Sequence, residues 1–270
     1  MRPALFVTFV GTVAAAAVVG SAQASLVVDD FTAGSINRSS SNTNAQSSVQ
    51  TETHPSFFPG STNVRDAWVL GLLGESALSR SNAQSITSNA NGSVAFALGA
   101  VRMGGTGGDG TTRSSGTLRY GGTGTNLDLS GYTSFVAAGS GSFAIQSNRD
   151  VGFTAMLRLT DTAGKNADWT FARAYDLSST ALTTYQFGDI SFNLSLAQGL
   201  PGSPVVAAGF NIASIQRLEF VLGTYVTTGT SLTPSGVNLN YTFDSLTLVP
   251  TPGALALLGV AGLARRRRRD

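Results

Sequence analysis

The stretch VGFTAMLRL, residues 151–159, puts Val151, Phe153, Ala155, Leu157 and Leu159 on one parity and Gly152, Thr154, Met156 and Arg158 on the other. An extended chain points successive side chains to opposite faces, so this period of two marks a strand with one face in a core. The same alternation recurs at Ile190, Phe192, Leu194 and Leu196, and at Leu218, Phe220 and Leu222. Near the end of the chain Tyr241 and Phe243 share one parity, whereas Leu246 and Leu248 share the other. One extra residue flips a strand's register, so a bulge at Asp244-Ser245 would keep all four on one face. Further strands are expected at Leu26–Phe31, Ala67–Leu73, Val94–Arg102, Tyr132–Ala137, Phe143–Gln146 and Trp169–Tyr175. Turn-rich text such as DTAGKNAD, AQGLPGSPV and SLTPSG separates them. No interior stretch carries a 3.6-residue apolar period; the nearest, Glu75 to Ile86, is mostly Ser, Asn and Ala. About ten to fourteen strands with almost no helix imply an all-β fold, an antiparallel β-sandwich wound as one jelly roll over residues 25–248.

Two low-complexity stretches interrupt this pattern. Residues 34–52 are almost all Ser, Asn, Gln and Thr, and read as a long loop or a polar edge strand. Residues 104–125 are rich in Gly and Thr, and read as surface loops around a short strand near Leu118–Tyr120. The chain of 270 residues has 17 basic and 15 acidic side chains, but the balance is uneven. Arg2 and Arg265 to Arg269 hold six of the basic residues, leaving 11 against 14 acidic residues once Asp270 is set aside. Those 11 are scattered and form no cationic cluster, so nucleic acid is excluded as a partner. Cysteine is absent, which removes thiol catalysis and cysteine–metal sites.

The two ends carry addresses. Residues 1–24 have one early charge, an apolar run from Ala4 to Gly20, and small residues at Ala22 and Ala24, the pattern of a signal peptide cut after Ala24 by signal peptidase. At the other end, Pro250 and Pro252 keep the chain extended. Gly253 to Ala264 then supply twelve small or apolar residues before the five arginines. As a short hydrophobic helix they would rise about 18 Å, against a bilayer core about 30 Å thick. The segment is thus a poor permanent transmembrane anchor, and the arginines act as a cytoplasmic stop.

Residues 249–270 resemble a PEP-CTERM sorting signal: Val249, Pro250, Thr251 and Pro252, a Leu/Ala/Gly-rich stretch, then Arg265, Arg266, Arg267, Arg268 and Arg269. The position between the prolines, glutamate in that family, is Thr251. The resemblance implies export, a transient hold in the membrane and cleavage by an exosortase, a membrane-embedded cysteine peptidase. It also implies a place at the cell surface or in the extracellular matrix, with exopolysaccharide or envelope proteins as partners. The body, in VVDDF, NLDLSGYTSF, LRLTDTAGKNADWTF and YTFDSLTLV, is similar to galactose-binding-like carbohydrate modules. Those domains bring the first and last strands together with room for a structural calcium. Asp29, Asp30 and Asp244 are its candidate ligands here, with polar strand positions as the alternative.

Catalytic patterns are sparse. His54 is the lone histidine and sits in a proline-flanked loop without a Gly-x-Ser-x-Gly motif, so it reads as a loop residue rather than a triad base. Gly105 to Gly110 match G-x-G-x-x-G, but no helix follows to receive a pyrophosphate. Glycoside hydrolysis needs two carboxylates about 5–10 Å apart, and glutamate is limited to Glu52, Glu75 and Glu219. Trp68, Trp169, Tyr120, Tyr132 and Tyr185 are the aromatics considered for sugar stacking; Trp169 reads as core and Tyr120, among glycines, as the most exposed. The leading expectation is a non-catalytic exported protein that interacts with polysaccharide or other envelope proteins. A glycan hydrolase or lyase on the same jelly-roll scaffold and a structural coat protein are the alternatives.

Overall fold

The parity switch near residue 244 is resolved as expected in a computed structural model of the chain, which describes residues 24–42, 46–53, 64–72, 79–88, 91–103, 112–147, 150–176, 179–197, 203–226 and 235–251. Ala24–Thr251 form one unit by themselves. His54, Glu75, Gly105 to Gly110, Ala22, Pro252, the short C-terminal helix and the arginine run lie outside the described residues. Among the described residues no helix is long and apolar enough to cross a membrane.

The described strands, numbered in chain order, form two sheets whose neighbours are all antiparallel. The first runs β11 (Ser179–Phe187), β8 (Tyr132–Ser147), β15 (Ser235–Pro250), β6 (Val94–Met103), β5 (Ser79–Ser88) and β2 (Ile36–Asn42). In it β1 (Leu26–Asp29) also pairs with β15, and β12 (Ile190–Asn193) with β8. The second runs β13 (Val205–Val206), β10 (Asn166–Asp176), β9 (Asp150–Asp161), β14 (Ile215–Val226), β7 (Thr112–Gly121), β4 (Val64–Leu72) and β3 (Gln46–Thr53). The chain crosses between sheets every one or two strands, which is the winding of a jelly roll.

The inward residues of the two sheets interdigitate. Phe143 meets Phe153 edge-on at 5.3 Å, and Phe220 meets Phe243 at 5.0 Å. Such pairs add about 0.5–1.5 kcal/mol beyond the area they bury. Asp244 is the extra residue: Phe243 faces Gly139, Ser245 faces Ala138, and Phe243, Leu246 and Leu248 are all fully buried.

The polar stretch at 34–52 takes the edge-strand form. β2 and β3 close one edge of each sheet. The reading of residues 104–125 as loops around a short strand is corrected. Residues 112–121 are a ten-residue strand, β7, between β14 and β4. Its small residues are fitted to the core: a Cβ at Gly116 would lie 2.8 Å from the Phe96 ring and 2.9 Å from Ile86 of the facing sheet. The two short strands expected at 132–137 and 143–146 are one strand, β8. The glycines that break its apolar pattern sit against β15, where a Cβ at Gly139 would meet the Thr242 carbonyl oxygen at 2.1 Å. The polar Glu75–Ile86 region supplies most of β5.

A buried polar cluster ties β1 to the second sheet. A bulge at Val28 turns Asp29 inward, where it is fully buried. Its Oδ2 accepts from Arg65 at 2.9 Å and from the Tyr120 hydroxyl at 2.8 Å, and Oδ1 accepts the Phe31 N–H at 2.8 Å. Arg65 also donates to the Ala33 carbonyl and lies 5.9 Å from the Phe31 ring centre. Phe31 has φ +54°, the left-handed region that a bulky residue enters only when its surroundings impose it; the Asp29 bond and the Gly92 N–H on its carbonyl do so. Replacing Arg65 by Met leaves Asp29 buried without its cation. Urea unfolding should therefore register a loss of about 3–5 kcal/mol.

The β9–β10 turn depends on Asp161, which is 1% exposed. Its Oδ1 accepts from the Ala163 and Lys165 N–H groups at 2.9 Å each, and Oδ2 from Asn211 at 3.0 Å. Burial pushes this carboxyl up, but the Lys165, Asn211 and Ala163 N–H groups and the Lys165 ammonium outweigh it and hold the group below its ordinary value. A depressed folded pKa gives stability above the unfolded pKa, about 3.9 for Asp, and loses it as pH falls through the folded one. An Asp161→Asn variant turns an amide N–H toward a donor and should lose about 1.5–3 kcal/mol at pH 7. The gap in melting temperature between the two proteins should narrow as the solution is acidified below about pH 4.

Candidate functional site

β10 continues beyond the core edge. Trp169 is buried, Phe171 two residues on is half-buried, and Arg173, two further, is exposed on the same inward parity. β11 and β12 of the first sheet face this stretch. Between them lies a groove of about 380 Å³ lined by Phe153, Phe171, Arg173, Gln186, Phe187, Gly188, Asp189, Ile190 and Ser191.

Its floor is a run of rings. The Arg173 guanidinium carbon lies 5.7 Å from the Phe171 ring centre. Phe171 is 5.9 Å from Phe153, Phe153 stacks on Phe187 at 4.9 Å and 17°, and Phe187 is 5.1 Å from Tyr241. The outer rings are therefore seated on the core and have little freedom to turn. The far wall is set by a break in strand pairing. β11 reaches Gly141 of β8 through Phe187, and β12 resumes at Ala137 through Ile190. In the gap the Gly139 N–H donates to Asp189 Oδ1 at 2.9 Å, and the Tyr241 hydroxyl donates to the Gly188 carbonyl at 2.8 Å. Burial, then the Asp189 and Asp244 carboxylates, push the Tyr241 phenol well up, so it remains a neutral donor.

A second polar concentration covers the outer face of the second sheet. Asp66, Arg119, Glu219, Arg158 and Asp168 occupy one cross-strand row over β4, β7, β14, β9 and β10. Arg119 donates twice to Asp66, at 2.6 and 2.8 Å, and Arg158 makes a two-pronged contact with Asp168 at 2.7 and 2.8 Å. Arg217 adds a contact to Glu219 at 3.7 Å. With Arg217 counted, three guanidiniums balance three carboxylates and the group is internally paired. It reads as a solvated sheet face, where each pair contributes about 0–1 kcal/mol.

The sequence-derived candidates are dispersed. Asp29 faces Arg65 and Tyr120, Asp30 Oδ1 accepts the Thr32 N–H and hydroxyl, and Asp244 is exposed at the β15 bulge. Among the described residues no three His, Cys, Asp or Glu gather where a metal could sit. Trp169 is core at 1% exposed. Tyr120, expected to be exposed, is buried at 2%, because β7 is a central strand and residue 120 shares the inward parity of Leu118. Tyr132 and Tyr185 are partly buried against the core. Val249 and Pro250 are the last residues of β15, paired with Ser134 and Tyr132, and the Thr251 N–H donates to the Gly131 carbonyl at 3.0 Å. Phe171, Arg173, Phe187 and Asp189 were not singled out from the sequence. One signal was present: a charge at 173 on the apolar parity of residues 169 and 171 marks where that face leaves the core.

No protein-family profile matches the sequence, and none of the curated proteins matches it. Among solved structures the chain has a loose likeness to the family 11 carbohydrate-binding module of the cellulosomal cellulase Lic26A-Cel5E of Clostridium thermocellum. The identity is 13% and the TM-score 0.29, over 86% of this chain and 97% of that one. An agarase is similar at 10% identity and TM-score 0.31, over 85% of this chain and 25% of that one. A family 16 carbohydrate-binding module is similar at 15% identity and TM-score 0.20, over 56% of this chain and 76% of that one. At such scores the likeness transfers neither ligand nor activity.

Proposed function

We propose that the sandwich is a non-catalytic polysaccharide-binding domain of an exported protein, and that the β10–β12 groove is its binding site. The observation that carries this reading is the groove itself: ring faces fixed by the core beside Arg173, Gln186, Asp189 and Ser191. Aromatic faces take the C–H side of a pyranose, and a few convergent polar groups take its hydroxyls. The hydrolase alternative is weaker, because among the described residues Asp189 is the one carboxylate lining the groove and its Oδ1 is engaged by Gly139. Glycosidic cleavage needs a second carboxylate about 5–10 Å away. Titration of the full-length protein against a polysaccharide panel tests the proposal. Binding should weaken about tenfold or more in Phe171→Ala, a ring with little core contribution at the strand's outer end. No binding to any polysaccharide, or binding indifferent to Phe171, would sink the assignment.

We further propose that residues 1–24 export the chain and that the tail is removed by an exosortase after a transient membrane hold. The supporting pattern is the Pro-x-Pro, apolar, polyarginine order at the end of the sequence. Because β15 carries Val249 and Pro250 and Thr251 is bonded to Gly131, cleavage before Thr251 would require unzipping the strand. Mass spectrometry of the mature protein should find Ser25 at the start and an end at or beyond Thr251 that lacks the arginines. A mature form retaining Arg265–Arg269 would remove the sorting proposal.

A further inference from the structure

We infer that the groove selects a carboxylate-bearing polysaccharide, a chain containing uronic acid residues, through Arg173; this rests on reading the groove as a glycan site. Arg173 and Asp189 both line the groove, yet they form no ion pair with each other. Arg173 makes no hydrogen bond or ion pair with any described residue, and its one contact of note is the Phe171 ring. Every neighbouring guanidinium on the outer sheet face is matched: Arg119 by Asp66, Arg158 by Asp168, Arg217 by Glu219. Among the described residues these three arginines are paired, whereas Arg173, in the aromatic groove, is not.

The geometry of that arginine suits an anion. The guanidinium lies within cation–π range of the Phe171 ring, and no described residue takes its N–H groups. A planar fork with an open edge matches a carboxylate with two parallel bonds, stronger than bonds to neutral hydroxyls. The opposite wall asks for something different. Asp189 spends Oδ1 on Gly139, and as a carboxylate it can only accept, so it favours hydroxyl donors. A uronate residue carries both halves, a carboxylate for Arg173 and hydroxyls for Asp189, on a ring that can lie on Phe171 or Phe187. A neutral hexose satisfies Asp189 but offers Arg173 only the weaker bonds of uncharged hydroxyls. A densely sulfated chain brings charge to both walls and is repelled at Asp189.

Four probes separate the readings with the full-length protein: polygalacturonate, its fully methyl-esterified form, dextran sulfate and a neutral mixed-linkage glucan. Polygalacturonate should bind, with an affinity that falls as salt rises. Esterification should weaken binding about tenfold or more, and Arg173→Gln should do the same. Arg173→Lys should recover part of the loss, since it keeps the charge but not the fork. Arg173 is exposed, so these variants retain the fold. If the glucan binds as tightly as polygalacturonate, Arg173→Gln changes nothing and Phe171→Ala still weakens binding, the groove is a glycan site without charge selection and the inference is overturned. Equal binding of dextran sulfate through Arg173 would overturn the carboxylate preference. Failure of all four probes would overturn both this inference and the reading beneath it.

Discussion

The two central strands of the first sheet, β8 and β15, are each 16 residues long and pair with each other along nearly their whole length, but no single strand spans the other flank of either. β15 is flanked by β6 up to Phe243 and by β1 from Leu246. β8 is flanked by β11 up to Gly141 and by β12 from Ala137. Both exchanges fall on one rung, where Asp244 bulges out of β15 opposite Gly139. A bulge adds twist and leaves backbone groups without ladder partners, and these must be satisfied locally. Asp189 and Tyr241 do this, one accepting from Gly139 and the other donating to Gly188. The groove's far wall is therefore a by-product of the way the sheet changes partners. Asp189 is aimed by the fold before any ligand arrives.

The second constraint is the buried Asp29–Arg65–Tyr120 cluster. Two charges removed from water cost several kcal/mol each, and their attraction offsets this only when the remaining hydrogen-bonding capacity is met. Here the carboxylate receives three donors, and the guanidinium gains a carbonyl and a ring. A well-packed apolar trio would serve stability as well. What the ionic cluster adds is registry: it fixes where β1 meets β4 and β7, and it holds Phe31 in a left-handed conformation that packing alone would not choose. Strand β1 has only four residues and a bulge, so without such a tether its pairing to β15 would be prone to slip.

How far the sequence discloses this molecule depends on which faces are apolar. β9 and β14 were legible because every second residue is large and buried, and the Asp244 bulge because the apolar parity changes across it. β5 and β7 were not, since β5 reads as mostly polar and β7 buries Ser114, Gly116 and Thr117 beside Leu118 and Tyr120, so neither shows an apolar alternation along its length. Gly116 is intelligible only once Phe96 and Ile86 are known to press on it. Glycines 139 and 141 read as a break, yet they are required for the closest approach of two long strands. The same limit hid the groove. Its residues come from β9, β10 and the β11–β12 junction, and nothing local says that Phe171 and Phe187 converge. The expectation of an exposed Tyr120 failed for a related reason: composition suggested a loop, whereas parity with Leu118 already pointed inward.

The placement of the groove also follows from how the two sheets end. β13 covers only Ala167 and Asp168 of β10, so among the described residues the outer half of β10 runs on without a neighbour beyond β9. There the inward residues of β10 become progressively exposed, from Trp169 to Phe171 to Arg173, while Phe153 and Val151 of β9 beside them stay buried. An aromatic core that simply stopped would leave an apolar patch liable to self-association. The exposed Arg173 guanidinium, 5.7 Å from the Phe171 ring centre, keeps the patch wet and places a charge beside the ring faces. Binding to such a surface has little side-chain entropy to lose, because Phe153 and Tyr241 hold the rings from below. The proposed role of this edge as a glycan site thus rests on the same arginine and ring faces that keep it wet.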